Sequence, residues 1–319
     1  MVTLARADPQ IPIHRSVRFL LATATAGSPT RSMACRFGET EVAELEAADA
    51  DGPAWHPIRV TLDFLSRISG DDMSLPWLKQ AIDVAIVERA ASLFPPIGSS
   101  DGWGAHFGRE LNASDDRDAF TTSTRGLPVV EGKQIDPFRV DLSKTRFHID
   151  NGDAARRLSD RRFNAPRLGY RDVASASNRL TLIAAVLPAG CVSTHTVFCL
   201  RTPLRARDRH FLCGLFNSFV LNYLVRLRVS THVTTAIVEH LPIPRADRFP
   251  RAAREIAAIA RLLARRDDVK AKARLQAIVA GLYQLSREEF AHVLSTFPLI
   301  PQDERDAAYR LFATEAQRH

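Results

Sequence analysis

The run FLCGLFNSFVLNYLV at 211–225 leaves the chain little choice about where its core lies. A stretch this apolar has to be buried. It is shorter than the roughly 20 residues a bilayer span needs, and Asn217 and Asn222 interrupt it. It therefore reads as a largely buried helix over 209–228 in a protein without a membrane partner. A chain of 319 residues can bury such a helix inside a real core, as two domains or as one domain with a helical appendage. The 4 cysteines, Cys35, Cys191, Cys199 and Cys213, form no CxxC pair and read as reduced thiols. The first residues lack a signal peptide's apolar core. A cytoplasmic location is expected.

Around the buried helix the pattern alternates. SVRFLLATA (16–24) and RSMACRF (31–37) look like strands paired through the turn-forming GSPT. The acidic ETEVAELEAADADG follows, then a helical region from Thr61 to Phe94, closed by Pro95-Pro96 and Gly98. Residues 98–165 are turn-rich, with strand candidates at WGAHFGREL and LPVVEGKQI. Further strands are expected at 167–174, 180–187 and 196–201. From Pro250 the pattern is helical, and Ser286 with Glu289 makes a capping box. The fold class is mixed α/β (α+β), in three parts: an amino-terminal part (1–100), a strand-rich part (101–248) and a helical carboxy-terminal part (249–319).

Several chemistries can be weighed on spacing. Glu131 and Lys133 in VVEGKQI, with Asp115, Asp116 and Asp118 upstream, match the carboxylate-plus-lysine pattern of metal-dependent nucleases. A turn eased by Gly132 is the simpler reading. His195 and Cys199 lie four apart on a strand, about 13 Å from each other, too far to share an ion. Neither a GxSxG elbow, a GxGxxG loop nor a GxxxxGK[ST] loop occurs. Arginine stands out instead, in ARRLSDRR (155–162), RTPLRARDRH (201–210) and RLRVSTH (226–232). Guanidinium groups clamp phosphates and read guanine edges. With Lys+Arg at 43 against Asp+Glu at 36, the net charge of +7 favours a polyanion partner.

The ordered segments RELNASDDRDAF, GLPVVEGKQIDPFRVD, RLGYRDVASASNRLTLIAAVLP, FLCGLFNSFVLNYLVRLRVSTHVTTAIVEHLPIP and LYQLSREEFAHVLSTFP carry a resemblance. From about Pro12 to about Pro298 the chain resembles the carboxy-terminal half of adenine-specific DNA methyltransferases of restriction–modification systems, with a TaqI-like target-recognition region. The resemblance implies sequence-specific binding of double-stranded DNA. It makes 1–100 a methylase remnant with connecting helices and 101–248 the recognition domain. Such enzymes use S-adenosylmethionine through a glycine-rich loop and an (N/D)PP(Y/F) motif. This chain shows neither, so no cofactor, catalytic or metal residue is expected in it. Methyl transfer would belong to a separately encoded methylase half or to a part lost by truncation, leaving this chain inactive alone.

Within that frame Lys133, Arg171, Asn178, Arg179, Arg226, Arg228 and His232 form the expected DNA-facing or DNA-supporting set, with Asp172 pairing to an arginine and fixing its direction. The junction Asn178-Arg179 raises a question of its own, because polar residues there run straight into the apolar Leu180–Leu187. Either a core-anchored strand holds them at its rim for DNA, or Asn178 closes a turn and Arg179 pairs with Asp172. Two other functions stay open: an autonomous Mg-dependent nuclease built on Asp118, Glu131 and Lys133, and a non-catalytic assembly subunit using the buried helix and the helical tail as an interface.

Overall fold

The computed structural model describes residues 2–4, 19–22, 24, 26–27, 29–39 and 58–315. It resolves two compact units, Met1–Ala91 and Ser92–His319. Beyond Glu39 the acidic segment lies outside the described residues, as do residues 16–18 and 23 of the first strand candidate.

In the first unit β1 (Val2–Leu4), β2 (Phe19–Leu21), β3 (Ser32–Glu39) and β4 (Ile58–Thr61) form a sheet in the order β2-β1-β3-β4. The expected hairpin between the second and third strands is not formed. β1 lies between them, antiparallel to β2 and parallel to β3, and takes the hydrogen bonds that GSPT would have directed elsewhere. Cys35 pairs with Ile58 across β3 and β4, and both are buried. Thr61 then caps α1 (Leu62–Ser69) by accepting the Phe64 amide at 3.1 Å.

The expected helical region over 61–94 consists of two helices. Gly70, at a φ of 59°, ends α1, and a new helix α2 (Ala81–Leu93) begins only after Pro76. The Asp83 carboxylate accepts the Lys79 and Gln80 amides at 2.8 and 2.9 Å, satisfying donors at that start.

The second unit is mixed strand and helix. Its first half holds β5 (Phe107–Gly108), β6 (Phe120–Thr121), β7 (Leu127–Val130), β8 (Ile135–Asp136), β9 (Arg139–Val140), β10 (Phe147–Ile149) and the short helix α3 (Asn151–Arg157). β11 (Arg167–Arg171), β12 (Ala184–Leu187), β13 (Val192–Ser193) and β14 (Val197–Leu200) follow. They assemble as the sheet β13-β7-β10-β6, the sheet β12-β11-β14-β5 and the hairpin β8-β9. Apolar clusters pack on both sheets, one around Val129, Ile149 and Val192, the other around Val130, Ala185 and Val197.

An ion pair fastens the two sheets together. Arg167 at the start of β11 meets the Glu110 carboxylate through Nε and Nη2 at 2.5 and 2.6 Å. Glu110 also accepts the Ser193 amide and hydroxyl of β13 at 2.7 and 2.9 Å, so both oxygens of the buried carboxylate are engaged.

The run 211–225 is not one helix. It divides into α4 (Ala206–Phe216) and α5 (Phe219–Arg226), and Ser218 caps α5 by accepting the Leu221 amide at 3.2 Å. The two asparagines explain the break and their own burial. Asn217 donates to the Ala184 and Cys213 carbonyls, each at 2.8 Å, and accepts the Ala184 amide at 3.2 Å. Asn222 accepts the Thr181 and Leu182 amides, each at 2.8 Å.

The expected strand over 180–187 forms only from Ala184. The residues before it are irregular, and side chains of α4 and α5 replace the missing ladder. A short α6 (Thr235–Glu239) precedes the carboxy-terminal helices α7 (Pro250–Arg265), α8 (Val269–Leu282), α9 (Arg287–Ser295) and α10 (Gln302–Glu315). α9 begins on the Ser286–Glu289 capping box, with bonds of 3.1 and 2.7 Å. At Gly214 a Cβ would strike Ile256 Cγ2, so α4 and α7 pack at glycine distance. No helix among the described residues is long and apolar enough to cross a membrane.

Candidate nucleic-acid interface

β11 carries its chain out of a buried sheet into a knot of backbone bonds. Tyr170 is wholly buried, Arg171 is half-buried and Asp172 is buried again. The Asp172 amide donates to the Thr196 carbonyl at 3.0 Å, the Val233 amide to the Asp172 carbonyl at 2.8 Å and the Ala174 amide to the Thr231 carbonyl at 3.2 Å. The Gly132 amide reaches Thr196 Oγ1 at 2.9 Å, tying a fourth segment to the group. Residues that are remote in sequence are thus fixed to one another mainly through the main chain.

Asp172 directs what stands on this base. Its Oδ2 accepts from Arg109 Nη2 at 3.0 Å, and its Oδ1 lies 3.2 Å from His232 Nδ1. Only 3% of the Asp172 side chain is exposed, against 51% for Arg109 and 52% for His232, so a buried carboxylate holds two exposed heads. Arg109 also stacks over the Phe198 ring at 4.9 Å, which restricts it further.

Beside them, Glu131, Gly132, Lys133, Arg171, Val173 and Thr196 line a shallow depression of about 220 Å³. Lys133 projects from a short 3₁₀ turn and is paired with Glu131 at 2.8 Å while remaining 61% exposed. Glu131 and Gln134 form a capping box that stiffens this turn. Val173, an exposed apolar side chain, stands among these cations.

The expected set therefore separates. Lys133, Arg171 and His232 come together at this rim. Arg226 does not face solvent. It donates to the Asn178 and Thr296 carbonyls, to the Arg179 carbonyl at 3.2 Å and to Thr181 Oγ1 at 3.2 Å, and its guanidinium lies 3.9 Å from the Phe297 ring centroid. Burial pulls its pKa down to about 10. Its place is that of a supporting post under the 178–181 turn.

Asn178 closes that turn, accepting from Ser175 Oγ at 3.1 Å. Arg179 pairs with Glu304 at 3.1 Å, not with Asp172. Arg109 takes that place at Asp172, which pairs with an arginine as expected. Arg228 is half-buried and donates to the Ile237 carbonyl at 3.4 Å. The sequence reading missed Arg109, Val173 and Thr196 as rim residues. Their one signal was a polar Arg109-Glu110 step inside the WGAHFGREL strand candidate, and Glu110 proves to be the buried half.

The nuclease constellation is not assembled. Asp116 and Asp118 are both held by Arg157, at 2.7 and 2.8 Å, at the start of β6. Glu131 follows the end of β7, two strands away in a sheet where β6 and β7 point the same way. No group of three or more metal-binding side chains occurs among the described residues. His195 accepts the Ala113 amide at 3.2 Å, and burial pushes the Cys199 thiol up to about 12, so neither is poised as a ligand.

No family model matches the sequence, and no curated protein matches it. Three solved structures are similar to it in part. One, described as "Structural basis underlying complex assembly and conformational transition of the type I R-M system", is 15% identical at a TM-score of 0.33, covering 68% of this chain and 51% of its own. The type IIL restriction–modification enzyme MmeI in complex with DNA is 11% identical at a TM-score of 0.39, covering 60% and 35%. The HsdS subunit from Thermoanaerobacter tengcongensis is 17% identical at a TM-score of 0.29, covering 72% and 51%. The chain spans about half of the first and third and about a third of the second.

Proposed function

We propose that this chain recognises double-stranded DNA as the target-recognition part of an adenine-specific restriction–modification methyltransferase, TaqI-like in arrangement. The observation that carries the reading is the rim on β11, where Lys133, Arg171, Arg109 and His232 stand on one stiff support. Rigid mounting matters because a mobile arginine or lysine gives up rotamer freedom at each contact, about 0.5–1.5 kcal/mol per side chain. Lysine and arginine there supply salt-sensitive phosphate attraction, and arginine heads and Val173 meet base edges. The reading does not rest on the three solved structures named above.

Methyl transfer from S-adenosylmethionine, with the target adenine turned out of the duplex, is assigned to a partner half. The rim itself does not suit that cofactor. Its one carboxylate open to the depression, Glu131, is already engaged by Lys133, and a sulfonium cation finds only like charge around it.

The test is fluorescence anisotropy on a randomised duplex library at 50 and 200 mM salt, followed by sequencing of the bound fraction. A steep loss of affinity with salt and an enriched motif are expected. Absence of binding at low salt, with or without a methylase half, ends the reading.

A further inference from the structure

The arginines of 161–162 and 205–209 are not absorbed by the rim, and the fold brings them together elsewhere. Asp160, Arg161, Arg162, Thr202, Leu204 and Arg209 line much of a second cavity, of about 410 Å³, at the Arg167 end of β11. Arg167 itself is neutralised by Glu110. The remaining three arginines meet a single lining carboxylate, Asp160, which Arg162 Nε engages at 2.9 Å and Arg201 Nη1 at 3.2 Å from outside the cavity lining.

The other two cations lack such a partner. Arg161 is exposed, with no side-chain partner among the described residues, and its backbone holds a φ of 46°, the left-handed region that arginine seldom adopts. Arg209 spends one donor on the Leu204 carbonyl at 2.5 Å, but its Nε is buried with no hydrogen-bond partner, and burial lowers its pKa. The charge around them is positive in excess: Asp160, shared by Arg162 and Arg201, and Asp208 in the first turn of α4, paired with Arg207 at 3.4 Å, leave Arg161, Arg205 and Arg209 unmatched. Arg205 sits at the start of α4 without a side-chain cap. Behind it, burial and the nearby Arg261, Arg209 and Arg265 hold His210 below its usual value. Positive side chains gathered where a helix presents its positive end repel one another and the helix dipole. An anion is the missing component.

We infer that this cavity is a phosphate-binding site, separate from the rim, that takes a backbone phosphate of the same duplex. The inference rests on the DNA reading for the source of the phosphate and on the cavity alone for its chemistry. Arg167 and Arg171 are four residue steps apart on β11, about 13 Å. That is close to the roughly 12 Å between the two strands across a B-DNA major groove, so both ends of β11 can reach one duplex.

Three proteins decide it: the wild type, the double variant Arg161→Glu with Arg205→Glu, whose side chains are exposed, and the rim variant Arg171→Ala. The cavity variant should bind all duplexes about 10-fold more weakly at 100 mM salt, with a salt slope reduced by about 1 and an unchanged sequence ranking. Arg171→Ala should alter the ranking instead. If the cavity variant binds duplexes as the wild type does while Arg171→Ala weakens them, the inference is overturned and the DNA reading stands. If no form binds DNA, the DNA reading fails, and calorimetry with inorganic phosphate and pyrophosphate decides the site. Heat lost in Arg161→Glu with Arg209→Gln would retain it as a free-phosphate site, and no heat in the wild type would abolish it.

Discussion

Asp172 shows how one buried carboxylate governs several exposed cations. Asp172→Ala removes the acceptor for both Arg109 and His232 and leaves them without direction. A loss of about 1–3 kcal/mol is expected, because a charged hydrogen bond to a buried group is lost while Arg109 can recover water. A urea midpoint measures that cost, and anisotropy should show DNA affinity falling with it. Arg226→Ala is the stronger lesion. It strips the 178–181 turn of its donors and empties the space over Phe297, so roughly 3 kcal/mol or more should be lost in thermal unfolding. Lys133→Ala, by contrast, should leave stability within about 0.5 kcal/mol and reduce the salt slope of binding by about 1.

At this scale the sequence was half legible. Lys133, Arg171 and His232 lay where glycine, strand ends and arginine clusters pointed. Whether Arg226 faced solvent or core could not be read, because a guanidinium at a helix end suits either place until its carbonyl acceptors, 47 to 70 residues away, are known.

Among elements, the two buried asparagines are the most informative. Asn222→Leu keeps a branched side chain and makes a buried position apolar, and by composition alone it should stabilise α5. The structure implies the opposite, since it orphans the Thr181 and Leu182 amides, each worth about 1–3 kcal/mol when unpaired. Faster hydrogen exchange confined to 181–184 would verify this, and unchanged protection there would refute it. Gly214→Val should loosen α4 from α7 by overpacking, at about 1–3 kcal/mol. Periodicity found the helices of the tail and the Ser286 capping box, because those signals are local. It joined what Asn217-Ser218 divides and lengthened β12 by four residues, because apolar character is shared by a strand and by an irregular stretch pinned from a helix. The insertion of β1 between β2 and β3 had no local signal at all.

For the molecule as a whole, the thiols report on folding. All 4 cysteines are buried, and burial pushes Cys199 and Cys213 up to about 12, well above the ordinary thiol value of 9.0. The folded chain therefore keeps protons that the unfolded chain releases above about pH 9. Stability is full below that value and declines as pH rises towards 12. Guanidinium titrations at pH 8 and pH 10 under reducing conditions should show the fall, and replacing both cysteines by alanine should reduce it, the rest belonging to Cys35, Cys191, Tyr170 and Tyr283, which burial also pushes up. A thiol-reactive dye should label no site quickly in the native state and all 4 in denaturant.

His210 works in the other direction. Its folded pKa is lowered, so the unfolded chain binds the extra proton, and stability should weaken as pH falls below about 6.5. His210→Gln should remove that acid slope.

The knot under the rim has a consequence for how such a surface could change over time. Its ties are main-chain amides and carbonyls together with Asp172 and the Thr196 hydroxyl, and none of them uses the side chain of Lys133, Arg171 or Val173. Those three positions can be exchanged without untying the scaffold, so on the proposed DNA reading new targets would be open to point changes at the tips, whereas a change at Asp172 would disturb every target at once.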